Sequence, residues 1–168
     1  LTQIKPVWVE LGLQTIHERT ARYIRRGYDL PVFETAVSEL RRRGIDVIVH
    51  TILCLPGETK PDMLQTIQYL NRQDIQGIKL QLLHIFKDTD LAEIYASDPF
   101  PIPDPQEYYE LLGACISHLR PDIVIHRLTG DGPKELLTAP LWTCNKRQVL
   151  NQLQSYFKTH DIWQGKEY

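Results

Sequence analysis

Methionine occurs once, as Met63, and cysteine three times, as Cys54, Cys115 and Cys144, in a chain of 168 residues. Three widely separated thiols supply neither a disulfide framework nor the closely spaced ligands of a local zinc or iron–sulfur site, so no metal is expected on this chain's own residues. Long apolar runs are also missing. Nothing approaches the roughly 20 residues of a membrane span, and no charged-then-apolar stretch stands among the early residues. Repeats, low-complexity tracts and linkers are absent. The expectation is one soluble, cytoplasmic domain over residues 1–168 with no membrane partner.

What is present is globular in character. Hydrophobic residues make up 42% and charged residues 24%, which excludes disordered, collagenous and coiled-coil chains. A chain of this length buries about 70% of its unfolded surface. Position 1 is Leu, and strand-like text starts at Val7, so the sequence reads as a piece of a longer polypeptide. The net charge of -2 hides a dipole. From His17 to Gly44 seven arginines face four acids, while from Asp88 to Asp122 eight acids face Arg120 alone. Two readings of the arginines follow: an RNA-binding module, or solvated helix faces with cations in the last turns.

The periodicity predicts strands at 7–11, 45–53, 77–85 and 122–128. Helices are predicted at 16–26, 31–43, from Thr59, at 90–97, from Asp104, and at 145–158. Phe33, Ala36, Val37 and Leu40 form a helical stripe ending at Gly44. Thr59 with Asp62, Asp104 with Glu107, and Asn145 with Gln148 have the spacing of N-caps and capping boxes. Strands alternating with helices indicate an α/β fold with a parallel sheet of about four strands and helices outside. Four strands make an open sheet or part of a (β/α) barrel, whose usual closure takes eight.

Ligands in such folds bind at the carboxyl ends of the strands. Those ends offer Glu10 and Gln14; His50, Cys54 and Leu55-Pro56-Gly57-Glu58; Lys79, Gln81 and His84; and His126, Arg127 and Asp131. Pro56-Gly57 suits the middle of a type II turn leading into a capped helix. His50 and Cys54 are four strand residues apart, roughly 13 Å, too far for a thiol–imidazole pair. His50, His84 and His126 come from three strands, so a metal hydrolase built on them is a further alternative.

In this order the strand-end motifs resemble the radical S-adenosylmethionine (SAM) superfamily. Val9 to Thr15, His50 to Thr59 and Gly77 to His84 are similar to successive strands of its barrel, as in elongator-type enzymes and oxygen-independent coproporphyrinogen oxidase. Ile125 to Asp131, Ala139-Pro140-Leu141-Trp142 and Gln164-Gly165-Lys166 are similar to the bacterial YhcC-type family. The resemblance covers essentially the whole chain. It implies a partial (β/α) barrel, with residues 1–88 as barrel and 89–168 as a family-specific extension.

The resemblance further implies SAM and a four-iron four-sulfur cluster as cofactors, a 5′-deoxyadenosyl radical, and an electron donor such as flavodoxin or ferredoxin. By position, Glu10, Gln14 and His50 would contact SAM; Leu55, Pro56, Gly57 and Glu58 would border its ribose and adenine; and the backbone at Leu82, Leu83 and His84 would receive the adenine edge. Lys79, Gln81, His126, Arg127 and Asp131 would face an unknown substrate, RNA being one possibility. The CxxxCxxC cluster loop is not in this sequence and is expected upstream of Leu1, leaving this chain alone inactive. Cys54 stands where relatives usually have Gly. An open arc of barrel is also expected to self-associate through its exposed sheet edges.

Overall fold

The computed structural model describes residues 4–168. Strand β1 spans Trp8–Gln14, and helices α1 and α2 span Glu18–Tyr23 and Leu30–Arg42. Strand β2 (Asp46–Leu53), helix α3 (Lys60–Leu70) and strand β3 (Gly77–Leu82) follow. The short strand β4 (Ile85–Phe86) leads to helices α4 (Asp90–Ser97) and α5 (Pro105–His118). Strand β5 (Val124–Arg127), strand β6 (Leu137–Ala139) and helix α6 (Lys146–Thr159) complete the order.

The main sheet is parallel, in the order β1-β2-β3-β5. Val and Ile density in β2 and β3 reflects cover on one face by helices and half-cover on the other. Val47, Val49 and Leu53 of β2 and Ile78, Leu80 and Leu82 of β3 are buried against Phe33, Ile67, Tyr108 and Leu112 of the helices. Alternation sends the intervening residues, Ile48, His50 and Ile52 with Lys79 and Gln81, to the other, concave face.

The helix starts are set by local chemistry. In α3 the Asp62 carboxylate accepts from the Thr59 backbone N–H at 2.8 Å and its hydroxyl at 2.6 Å. In α5 the Asp104 and Glu107 side chains each accept from the other's backbone N–H at 2.9 Å. Asn145 Oδ1 accepts from Gln148 N–H at the start of α6. Such caps are worth about 1 kcal/mol each.

Several boundaries differ from the sequence expectation. Strand β1 runs on to Gln14 because Leu13 is a fully buried core residue. The helix expected at 16–26 ends at Tyr23, since Arg25 (φ 56°) and Gly27 (φ 84°) take left-handed conformations. The strand expected at 77–85 stops at Leu82, and Ile85–Phe86 pairs antiparallel with Leu137–Ala139 in a separate two-stranded sheet. The strand expected at 122–128 is shorter, at Val124–Arg127. Among the described residues no helix is long and apolar enough to cross a membrane.

Candidate functional site

The concave face carries a polar relay across three strands. Glu10 Oε2 accepts from Lys79 Nζ at 2.5 Å and from His50 Nε2 at 2.6 Å. With Nε2–H donating to Glu10, the His50 Nδ1 accepts from Gln81 Nε2 at 3.4 Å. Gln81 Oε1 then faces Arg127 Nη1 at 3.5 Å. Lys79 first, and His50 second, hold the Glu10 carboxyl down at about 2, so it is ionised. At the far end the Asp131 carboxylate accepts from Lys146 Nζ at 2.7 Å, which lowers its pKa, and lies 3.9 Å from Arg127 Nη2.

Above the relay, at the carboxyl ends of β1, β2 and β3, lies a cavity of about 640 Å³, lined in part by Gly12, Gln14, Ile52, Leu55 and Leu83. Its floor depends on a bulge in β1. Gly12 pairs with His50 and Gln14 with Thr51, leaving Leu13 as the extra residue. Gln14 takes φ 65°, and its amide nitrogen lies where a Cβ on Gly12 would be only 2.6 Å away.

Two residues of the α1–α2 connection hold this bulge. Tyr28 donates its hydroxyl to the Gly12 carbonyl. Arg26, its side chain 2% exposed, donates to the Thr15 carbonyl at 2.8 Å, the Leu13 carbonyl at 3.3 Å, the Tyr28 carbonyl at 2.8 Å and Glu18 Oε1 at 2.9 Å. Glu18 Oε1 also accepts from Leu30 N–H. Sequence reasoning missed Arg26 because an Arg25-Arg26 pair reads as surface charge. The left-handed turn at Arg25 and Gly27 that buries Arg26 leaves only Gly27 as a signal.

The turn after β2 forms as its residues predict. Gly57 has φ 80°, and the Glu58 N–H donates to the Leu55 carbonyl at 3.1 Å. Leu55 lines both the cavity and a neighbouring hollow of about 530 Å³, whereas Pro56, Gly57 and Glu58 line the latter but not the former, with Cys54 and Phe100. The Glu58 carboxyl is turned inward, its Oε1 buried and unpartnered among the described residues, and burial raises its pKa against the weaker pull of nearby Thr15, His17 and Thr20. The Leu82 side chain is in the core. His84 packs on Gly130 and edge-on to Phe86, and burial lowers its pKa against the opposing pull of Asp131. His126 lies over Gly77.

The alternatives lose their footing here. Among the described residues no three His, Cys, Asp or Glu groups could hold a metal ion. His50 donates to Glu10, while His84 packs on Gly130 and His126 on Gly77, so among the described residues the three histidines do not converge on one centre. Five of the seven arginines of the RNA reading are paired internally: Arg25 with Asp90, Arg26 with Glu18, Arg41 with Asp46 and Asp74, and Arg42 and Arg43 with Glu39.

A small-molecule cofactor fits the cavity and an iron–sulfur cluster does not fit the thiols. The cavity volume falls within the usual 300–1,000 Å³ of ligand pockets. Gln14, which lines it, keeps a buried Oε1 without a partner among the described residues, an acceptor that a bound donor would satisfy. By contrast, burial drives the Cys54 and Cys115 thiols up to about 12, which disfavours the thiolates a cluster needs.

Comparison with known proteins agrees with this architecture. The family model described as the Radical_SAM C-terminal domain matches residues 75–159, and that of the Radical SAM superfamily matches residues 1–70. The uncharacterized protein YtqA of Bacillus subtilis (strain 168) is 38% identical over 160 residues, covering 95% of this chain and 50% of YtqA. Protein YhcC of Escherichia coli (strain K12) is 33% identical over 156 residues, covering 93% of this chain and 50% of YhcC. The chain thus spans about half the length of these relatives. The structure of the archaeal Methanocaldococcus infernus Elp3 with an N-terminal deletion superposes with a TM-score of 0.80 at 16% identity, over 94% of this chain and 37% of that one, and so shares the fold. This chain belongs to the radical SAM superfamily and carries its C-terminal domain.

Proposed function

We propose that this chain is the C-terminal half of a radical SAM enzyme, with residues 1–88 and strand β5 in the barrel sheet and the rest of 89–168 as its extension. The cavity at the carboxyl ends of β1–β3, with Gln14 in its lining and the Gln14 oxygen buried and unpartnered among the described residues, carries this reading. Gly12, Gln14, Ile52, Leu55 and Leu83 would hold S-adenosylmethionine in that cavity, and with a four-iron four-sulfur cluster it would supply radical chemistry by reductive cleavage. The cluster ligands lie on a segment outside residues 1–168, so this chain alone is inactive, and a flavodoxin- or ferredoxin-like donor supplies the electron.

Within the chain, Gln14 and the strand-end backbone at Gly12 bind polar edges of the cofactor. Leu55, Ile52 and Leu83 pack its apolar parts and exclude water. Glu10, fixed by Lys79 and His50, lies outside the cavity lining and ties β1, β2 and β3 together beneath it. Tyr28 and Arg26 hold the bulge that presents Gln14. Lys79, Gln81, Arg127 and Asp131 face the substrate. The free edges of β1 and β5 are covered by the preceding segment or by a second copy.

Calorimetric titration of the anaerobic full-length protein with SAM tests this. Wild type is expected to bind one equivalent, and Gln14→Ala to bind about tenfold more weakly, roughly 1.4 kcal/mol, with an unchanged circular dichroism spectrum. No binding by wild type, or equal affinity of the two proteins, would overturn the reading.

A further inference from the structure

We infer that the substrate of this site carries an oxyanion, a carboxylate or a phosphate, and that Arg127 with Gln81 is its anchor on the concave face. The inference rests on the reading above that this face receives the substrate.

The first observation is a second bulge. Ile78 pairs with Ile125 and Lys79 with Arg127, so His126 is the extra residue in β5. Ile125 packs towards the core. In a regular strand Arg127, two residues on, would point the same way and bury its charge among apolar side chains. The extra residue turns Arg127 to the face of Lys79 and Gln81, where its guanidinium meets Gln81. Bulges next to active sites commonly re-aim a side chain in this manner.

The second observation is how little of the guanidinium is used. Lys79 is taken by Glu10 at 2.5 Å and Lys146 by Asp131 at 2.7 Å. Among the described residues Arg127 has only the Gln81 oxygen at 3.5 Å and the Asp131 oxygen at 3.9 Å, both too long for strong hydrogen bonds. Its side chain is 32% exposed, so most of its five N–H donors have no protein acceptor among the described residues and are open to solvent or to a ligand. A planar fork of this kind fits two oxygens of one oxyanion. Arg127 does not line the cavity assigned to SAM, which separates the two binding groups.

The test is a guanidinium ¹H–¹⁵N titration of the full-length protein, at constant ionic strength, with sodium malonate and with inorganic phosphate. The Arg127 Nε–H signal, identified by its loss in Arg127→Lys, is expected to shift saturably. Malonate alone marks a carboxylate substrate and phosphate alone a phosphate; either supports the inference. Arg127→Gln is expected to raise the midpoint at least tenfold, read at the Gln81 side-chain amide, with SAM affinity unchanged. No saturable shift with either probe, or the same shift at the surface residue Arg42, overturns the inference. Loss of SAM affinity in Arg127→Gln would assign the guanidinium to the cofactor, overturning the inference while leaving the proposed function standing. Failure of wild type to bind SAM removes the proposed function and is read independently of the anion titration.

Discussion

Glu10 and Lys79 stand on strands separated by β2, yet the lysine Nζ lies 2.5 Å from the glutamate Oε2. Alternate strands are about 9.5 Å apart, so the two long side chains reach over His50, which donates to the same oxygen. The relay therefore ties the middles of three strands together through one carboxylate.

That convergence sets a pH dependence. The Glu10 pKa is lowered from 4.5 to about 2 in the folded chain, so its contribution to stability is complete above pH 4.5 and is lost as pH falls towards 2. A carboxyl ¹³C titration should place the Glu10 midpoint near 2. Lys79→Met should move it up towards 4.5, and by more than His50→Ala, because Lys79 is the larger influence.

Arg26 predicts a stability effect far from any expected ligand contact. Arg26→Met leaves the Thr15 and Leu13 carbonyls and the Glu18 carboxylate without their shared donor. Breaking a buried, hydrogen-bonded charge costs about 3–5 kcal/mol; because Glu18 is partly solvated, the lower end is expected, measured by urea unfolding. Arg26→Lys should recover only part of it, since one ammonium cannot span acceptors that the planar fork meets together. SAM affinity should fall in both variants, because the β1 bulge presenting Gln14 loses its support.

The contrast between Arg26 and the capped helices shows where legibility ended. Thr59/Asp62, Asp104/Glu107 and Asn145/Gln148 act through partners three residues away, so their spacing in the chain is their spacing in space. The same holds for the Gly57 turn and the Gly44 stop, both with positive φ. The parallel sheet followed from whole-segment periodicity, but the convergence of His50 and Lys79 on Glu10 did not, since strand position alone put Glu10 and His50 on the cofactor and Lys79 on the substrate. The β1 and β5 bulges were not legible, because one extra residue leaves no mark on hydrophobic periodicity and yet decides which way Gln14 and Arg127 point. Strands β4 and β6, two and three residues long, are too short for any alternation to be read.

Cys54 carries a conformational prediction. It stands at the end of β2 with φ 63°, in the left-handed region where the sequence resemblance places glycine in relatives. For a side chain this region costs roughly 1–2 kcal/mol, and glycine gives back about 0.5–1 kcal/mol through its larger unfolded-state entropy. Cys54→Gly should therefore lie within about 1 kcal/mol of wild type by chemical denaturation. Cys54→Val, β-branched at positive φ, should lose at least about 2 kcal/mol. Burial also raises the thiol to about 12, so iodoacetamide at pH 8 should leave Cys54 unmodified in the folded protein and label it on unfolding.

Glu58 makes the opposite pH prediction to Glu10. Its carboxyl sits under the turn between the two hollows, with Oε1 buried and unpartnered among the described residues. Burial raises its pKa above 4.5, against the weaker pull of Thr15, His17 and Thr20. A carboxyl with a raised folded-state pKa contributes stability that is present below the unfolded value of 4.5 and is lost as pH rises through the folded one. Glu58→Gln removes that loss, because the neutral amide of the same shape has no charge to desolvate. Its melting temperature should exceed that of wild type at pH 7, and the difference should shrink as pH is lowered towards 4.5. A variant less stable than wild type at pH 7 would instead mean that the two threonine hydroxyls outweigh desolvation, and that the turn is held by an ionised carboxylate.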